Sequence, residues 1–332
     1  MSSKTILITG VSGFVGGHYS SFLCKTHKDW AIHGISRSKP SWDFLPDTEA
    51  IQESLIFHRG DLLDEKNTDA LIKEIMPDYI LHLAAFSSVA ESWQQPRLAF
   101  LNNTNAFLNV AESVRLNTTP CRLLSVGSSE EYGIVDSRAL PLKEDCYNRP
   151  ANPYAVARAA QENLANIYTR GYGMDICCTR SFNHIGPGQR TKFVISSIAR
   201  QFAEISIKKT NPVIEIGNGT IIRDFVDIED VIRAYDAIFM HGQKGEIYNI
   251  CGGSGHTIIQ IIEMYAAMLD LSVTIEQQTS LIRPIDNPVL FGDYHKINEH
   301  TGWKPQVPLK KSLSKIYDYW YQKISRESPV ST

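Results

Sequence analysis

"ITGVSGFVGG", residues 8–17, decides how the first half of this chain folds. It ends the apolar run "KTILITG" (4–10) and opens a helix-length segment at 14–27. Gly10, Gly13 and Gly16 give the spacing GxxGxxG, with Phe14 and Val15 inside it. Glycines in a strand-to-helix turn let it close tightly, admit a pyrophosphate against the backbone, and let helix and sheet pack closely. The first amides of the helix would then face the anion.

The same rhythm continues downstream. "WAIHGIS" (30–36), "SLIFHRGD" (54–61), "DYILHLAA" (78–85), "RLLSVGS" (122–128) and "MDICCTRSF" (174–182) are short, β-rich and almost continuously apolar. Strands of a parallel sheet buried on both faces read this way. Helix-length segments at 64–75, 96–116 and 153–171 separate them. The alternation predicts an α/β, doubly wound parallel (Rossmann) sheet with right-handed crossovers. It spans residues 1–184. Residues 185–325 mix short strands and helices with "GPGQ" and "GNGT", and read as a smaller C-terminal substrate lobe exchanging strands with the first. The closing "SRESPVST" reads as a frayed end.

With 332 residues and 43% hydrophobic content, the chain has ample material for a buried core. Its 33 basic and 36 acidic residues leave a net charge of −3, which argues against nucleic acid as a partner. Acidic ligands must therefore be held by placed arginines and helix N-termini. No apolar run is long enough to span a bilayer, and residues 1–16 do not read as a signal peptide. The six cysteines (24, 121, 146, 177, 178 and 251) show no zinc-like spacing, so no metal is expected. The expectation is a cytoplasmic protein with reduced thiols.

Dinucleotide enzymes that prefer NAD(H) place an acid after the second strand. Here "ISRSK" (35–39) puts Ser36, Arg37 and Ser38 there instead. An arginine suits a 2′-phosphate, so NADP(H) is favoured over NAD(H); a solvated loop arginine is the alternative.

The glycine turn, "GDL" (60–62), "HLAA" (82–85), "GSSEEYG" (127–133), "NPYAVAR" (152–158) and "RSFNHIGPGQ" (180–189) together resemble the extended short-chain dehydrogenase/reductase (NAD-dependent epimerase/dehydratase) family over essentially the whole chain. "GSSEEYG", "GNGTIIRDFVDIEDV" (217–231) and "GWKP" (302–305) are most similar to its GDP-4-keto-6-deoxy-D-mannose reductases, with GDP-mannose 4,6-dehydratases as near relatives.

The resemblance implies cofactor contacts from Gly10, Gly13, Phe14, Val15, Gly16, Ser36, Arg37, Asp61 and Leu62. It adds Leu83, Ala84, Ala85, Ser87, Asn103, Tyr154, Arg158 and Phe182. It implies catalytic roles for Ser128, Glu130, Tyr154 and Arg158. Substrate contacts would come from Ser88, Ser128, Ser129, Glu130, Asn183, Val194, Arg223 and Arg283. The implied reaction reduces the C4 keto group of a GDP-4-keto-6-deoxyhexose, as in GDP-rhamnose-type deoxysugar biosynthesis feeding lipopolysaccharide. Helices 96–116 and 153–171 would pair between subunits of a homodimer as a four-helix bundle; a core-facing helix explains their apolar faces too.

Arg158 stands where the family keeps a lysine. A phenol with a pKa of about 10 donates its proton well only when a cation stabilises the phenolate left behind. Tyr154 and Arg158, at i and i+4, share a helix face. Arginine keeps the charge but never deprotonates. Electrostatic support should survive, whereas a proton relay through a neutral amine should not. A catalytically impaired nucleotide-sugar-binding homologue is therefore one alternative. Glu130 keeps a second open, a 4,6-dehydratase or nucleotide-sugar epimerase, because related dehydratases use a glutamate there as base.

Overall fold

The computed structural model describes residues 4–117, 120–209 and 211–327. Its first strand, β1 (Thr5–Thr9), passes through the glycine turn into α1 (Phe14–Thr26). Next come β2 (Ala31–Ser36), α2 (Thr48–Ser54), β3 (Leu55–Arg59), α3 (Glu65–Ile75) and β4 (Tyr79–His82). Then α4 (Val89–Gln94), α5 (Pro96–Phe100) and α6 (Ala106–Leu116) lead to β5 (Arg122–Val126). The helix α7 (Pro153–Tyr172) is followed by β6 (Asp175–Ser181) and β7 (Asn183–Ile185). Beyond it lie α8 (Val194–Lys208), β8 (Val213–Ile216), β9 (Ile222–Asp227), α9 (Ile228–His241) and β10 (Ile247–Ile250). The chain closes with β11 (Gly255–Thr257), α10 (Ile258–Leu269), β12 (Thr274–Gln277), β13 (Val289–Leu290), α11 (His295–Thr301) and α12 (Leu309–Glu327).

Seven parallel strands form the central sheet in the order β10-β6-β5-β4-β1-β2-β3. The order reverses between β1 and β4, the kind of switch point at whose carboxyl ends doubly wound sheets bind ligands. Successive strand residues face opposite sides. Ile6 and Ile8 therefore enter the core under α1 and α9, while Leu7 joins Ile80, Leu123 and Phe107 on the other face. A second core joins α8, α10 and α12 through Ile198, Phe202, Ile261 and Ile316. Burying each such side chain stabilises the fold by about 1.5–3 kcal/mol.

Three local features differ from the sequence reading. The expected single helix 96–116 is α5 and α6 joined by a π turn, Leu101–Asn105. The extra residue in that turn accompanies a fully buried Asn103, whose carboxamide accepts from Phe86 N–H at 2.7 Å and donates to Phe86 O at 3.2 Å. The short helices α2 and α4 were not anticipated. At the carboxyl end α12 continues through Glu327, so residues 325–327 are helical, and the rest of the stretch expected to fray lies outside the described residues.

Candidate active site

Gly10 adopts φ +67, and a Cβ there would lie 2.9 Å from the Ala84 backbone; one on Gly16 would lie 2.5 Å from Val11 O. The turn, the loop after β4 and α1 thus touch backbone to backbone, and only glycine permits it. Gly13 caps α1 without any side-chain bond. The first amides of α1 are therefore not taken up by a capping side chain, as an anion cradle requires. At the end of β2, Ser36 donates to Ser38 O at 2.7 Å and Arg37 is exposed beside it. These residues fit a phosphorylated dinucleotide. Asp61 accepts from Leu63 N–H at 3.1 Å. The Leu62 side chain lies in the core, so it offers chiefly backbone.

The loop after β4 is fixed from beneath. Thr9 Oγ1 accepts from the Leu83 and Ala84 N–H groups, both at 3.1 Å. Its own proton then points to His82 Nδ1, also at 3.1 Å, which places the imidazole proton on Nε2. Burial, and secondarily the charge of Arg158, push His82 down to about 3, so it stays neutral. Asn103 presents no surface in this structure, and its carboxamide bonds both the N–H and the C=O of Phe86. In this loop Ala85 is half-buried and Ser87 exposed, and Ser88 caps α4 by accepting from Glu91 N–H at 3.2 Å.

Asn152 and Pro153 start α7 as N-cap and first helical residue, an arrangement their types favour. One turn in, Arg158 Nε donates to the Tyr154 hydroxyl at 3.3 Å, and its guanidinium lies 5.4 Å from the ring centroid. Both residues are buried. The other side of the guanidinium is tied down, with Nη1 donating at 2.8 Å to both Val126 O and Gln161 Oε1.

Two residues beyond Val126, Ser128 caps a 3₁₀ turn over Ser129–Tyr132 and accepts from Glu130 N–H at 3.2 Å. Its own N–H donates to Glu131 Oε1 at 2.6 Å. Glu131 is fully buried, and burial, then the proximity of Glu162, holds its carboxyl well above the usual range. Glu130 points the other way: Oε2 accepts from Asn152 at 3.0 Å, and Oε1 lies 3.9 Å from Arg283.

Arg283 also approaches Asp286 at 3.5 Å, and Asp286 pairs with Arg223 at 2.5 Å. Arg223 is buried, with Nη1 on Ile222 O and Asn287 O. Both arginines expected to clamp substrate thus share one carboxylate partner. Asn183 donates to Asp224 O at 2.9 Å, and Val194, 38% exposed, begins α8. The Phe182 side chain packs in the core with Tyr132 and against Gly292, which leaves chiefly its backbone for a ligand.

Asp224 beneath this end is fully buried. Gly252 and Gly253 N–H donate to it at 2.6 and 2.9 Å, yet burial outweighs them and pushes its carboxyl up to about 6. An unfolded aspartate titrates near about 3.9. Between the two values the folded chain binds more proton, so stability falls as pH rises through that window. Across about two pH units that amounts to about 3 kcal/mol. Wild type should lose about that much relative to Asp224→Asn between about pH 4 and pH 7, read from urea midpoints. Parallel pH profiles would overturn this.

Asn152, Gln161 and Asp286 are site residues that the sequence reading passed over. The Asn-Pro pair was a helix-start signal, and Gln161 lies at i+3 from Arg158. Nothing local marks Asp286, which reaches Arg223 across 63 residues.

A family profile described as GDP-mannose 4,6 dehydratase matches residues 7–316. The chain belongs to this family. A GDP-6-deoxy-D-mannose reductase of Pseudomonas aeruginosa is 32% identical over 325 residues, covering 98% of this chain and 100% of that protein. A GDP-mannose 4,6-dehydratase of Yersinia enterocolitica is 27% identical, covering 94% and 92%. The structure of RMD from Pseudomonas aeruginosa complexed with NADPH superposes with a TM-score of 0.83 at 32% identity, over 97% of this chain and 100% of that one. A Thermotoga maritima UDP-glucose 4-epimerase, at 24% identity, shares the fold with a TM-score of 0.85, over 96% and 99%. Among the described residues, no helix is long and apolar enough to cross a membrane.

Proposed function

We propose that this member of the GDP-mannose 4,6-dehydratase family is a cytoplasmic, NADPH-dependent reductase of the C4 keto group of a GDP-4-keto-6-deoxyhexose. The observation that carries the reading is the Tyr154–Arg158 pair, phenol and cation in direct contact at the carboxyl edge of the sheet. The 32% likeness to a reductase, spanning both chains, supports reduction over dehydration. When bound, NADPH would supply hydride to C4.

Tyr154 would donate its phenolic proton to the C4 oxygen, and the Ser128 hydroxyl would donate a hydrogen bond to the same atom. Arg158, always charged, would stabilise the phenolate through Nε. Arg37 would meet a 2′-phosphate, and the first turn of α1 the pyrophosphate. Arg223 and Arg283 would hold the GDP end, exchanging part of their contact with Asp286 for substrate phosphate.

Glu130 favours a second reading, GDP-mannose 4,6-dehydratase, because a carboxylate stands where such an enzyme needs a base. Its engagement with Asn152 and its closeness to Arg283 favour a substrate-holding role instead. Purified chain should oxidise NADPH, followed by its near-ultraviolet absorbance, only on addition of GDP-4-keto-6-deoxymannose. Conversion of GDP-mannose without added reductant, and no NADPH oxidation, would establish the dehydratase. The apolar residues Leu98, Phe100, Leu101, Val156 and Ile167, exposed around α5 and α7, support the proposed homodimer through a four-helix bundle. Light scattering should give twice the chain mass; a monomer mass would refute it.

A further inference from the structure

We propose that Gln161 is a positioning residue for Arg158: anchored on Ser125, its carboxamide aims the guanidinium so that Nε faces the Tyr154 hydroxyl. Gln161 lies one turn further along α7 and is buried, so it reaches the reacting atoms only through its neighbour. Its Oε1 accepts from Arg158 Nη1 at 2.8 Å. Its Nε2 donates to Ser125 Oγ at 2.8 Å and, more weakly, to Val126 O at 3.4 Å. The amide orientation is forced, because a guanidinium offers only donors and must meet the oxygen side. A continuous path results, from strand β5 at Ser125 through Gln161 and Arg158 to the phenol.

Arginine needs such a guide for a geometric reason. Its side chain turns about four torsions and carries donors on three nitrogens, so charge alone does not decide which one meets Tyr154. Val126 O and Gln161 Oε1 grip Nη1 from one side, and Nε is then left facing the hydroxyl. A lysine ammonium would end where the arginine Cζ lies, one atom short of Nη1. It presents the same charge in every rotamer and depends far less on this grip. Gln161 therefore matters because position 158 is arginine.

The kinetic part of the test rests on the reductase reading; the cofactor part does not. Wild type, Gln161→Met, Arg158→Lys and the double variant form a cycle, each read by NADP⁺ affinity in calorimetry and by kcat and KM with NADPH and the 4-keto sugar. Gln161→Met should lower kcat about 10-fold and NADP⁺ affinity about 3-fold, within the coupling seen between contacting residues, with KM for the sugar little changed. In the Arg158→Lys background the same change should move both by less than about 2-fold. Equal losses in both backgrounds would make Gln161 merely structural, and no loss in either would remove its role; both results overturn the proposal. If wild type binds NADP⁺ but does not turn over the sugar, the reductase reading fails and the affinity cycle alone decides. Should Gln161→Met not fold, Ser125→Ala runs the same cycle. It deletes only the anchoring hydroxyl, with about a 3-fold loss expected in wild type and none beside Arg158→Lys. Uncoupled losses there overturn the proposal as well.

Discussion

Tyr154→Phe should lower kcat by about 10²- to 10⁴-fold, the range for loss of a positioned general acid. The substitution removes one oxygen and keeps the ring against Arg158, 5.4 Å from its centroid, so packing of α7 should not change. What disappears is the hydroxyl that accepts from Arg158 Nε at 3.3 Å, and with it the proton the substrate oxygen must receive. The cofactor turn is built from other elements, β1, α1 and the loop after β4, so NADP⁺ affinity should stay within about threefold. Stopped-flow oxidation of NADPH reads the first quantity and calorimetry the second. A kcat within a few-fold of wild type would mean that another group delivers the proton. Tyr235 is the nearest candidate by chemistry, but it is fully buried on α9 and burial raises its hydroxyl above the usual range. It is a poor acid for a bound substrate.

Arg180→Leu should cost about 3–5 kcal/mol of folding stability, the penalty for leaving a buried charge without its partner. Arg180 meets Glu162 with two parallel bonds, Nε–Oε2 at 2.9 Å and Nη2–Oε1 at 2.8 Å, and both side chains are buried. Its Nη1 also donates to Glu144 O and Cys146 O at 3.1 and 3.3 Å, and the guanidinium lies 4.6 Å from the Tyr132 ring centroid. Removing it leaves the Glu162 charge with only the neutral Asn148 carboxamide, at 3.0 Å, and withdraws positive charge from the buried Glu131 that holds Ser128. The effect should therefore appear in stability and, more weakly, in kcat. Adding Glu162→Leu to Arg180→Leu should recover part of the loss, since replacing a whole buried ion pair costs less than breaking one. Urea unfolding with unchanged slope reads both. A loss under about 1 kcal/mol for the single variant would show that water reaches Glu162 and that the pair is not dry.

The places and type of six of the seven central strands were legible because each is a short, nearly continuous apolar run, and a parallel sheet buried on both faces demands that pattern; β10, which joins the sheet beside β6 from the second half of the chain, was not picked out. The glycine turn was legible for the same kind of reason, since Gly10 and Gly16 sit where any Cβ would strike Ala84 or Val11. The break in helix 96–116 was not. Asn102, Asn103, Thr104 and Asn105 are weak helix formers, but nothing in that composition separates a π turn from an α-helix, and the turn accompanies a bond between Asn103 and Phe86, 17 residues earlier.

In the candidate site, the identities and spacing of Ser128, Glu130, Tyr154 and Arg158 came from the sequence, as did the shared helix face of the last two. Sequence also fixed that the charge beside Tyr154 is permanent, because arginine keeps its proton at any working pH. Which nitrogen of Arg158 meets the phenol was decided only in three dimensions, by Val126 O at the end of β5 and Gln161 on α7. Likewise, only the fold joined Glu130, Arg283, Asp286 and Arg223 into one chain of charges. A guanidinium's direction depends on neighbours brought from distant strands, whereas its charge is a property of the residue itself.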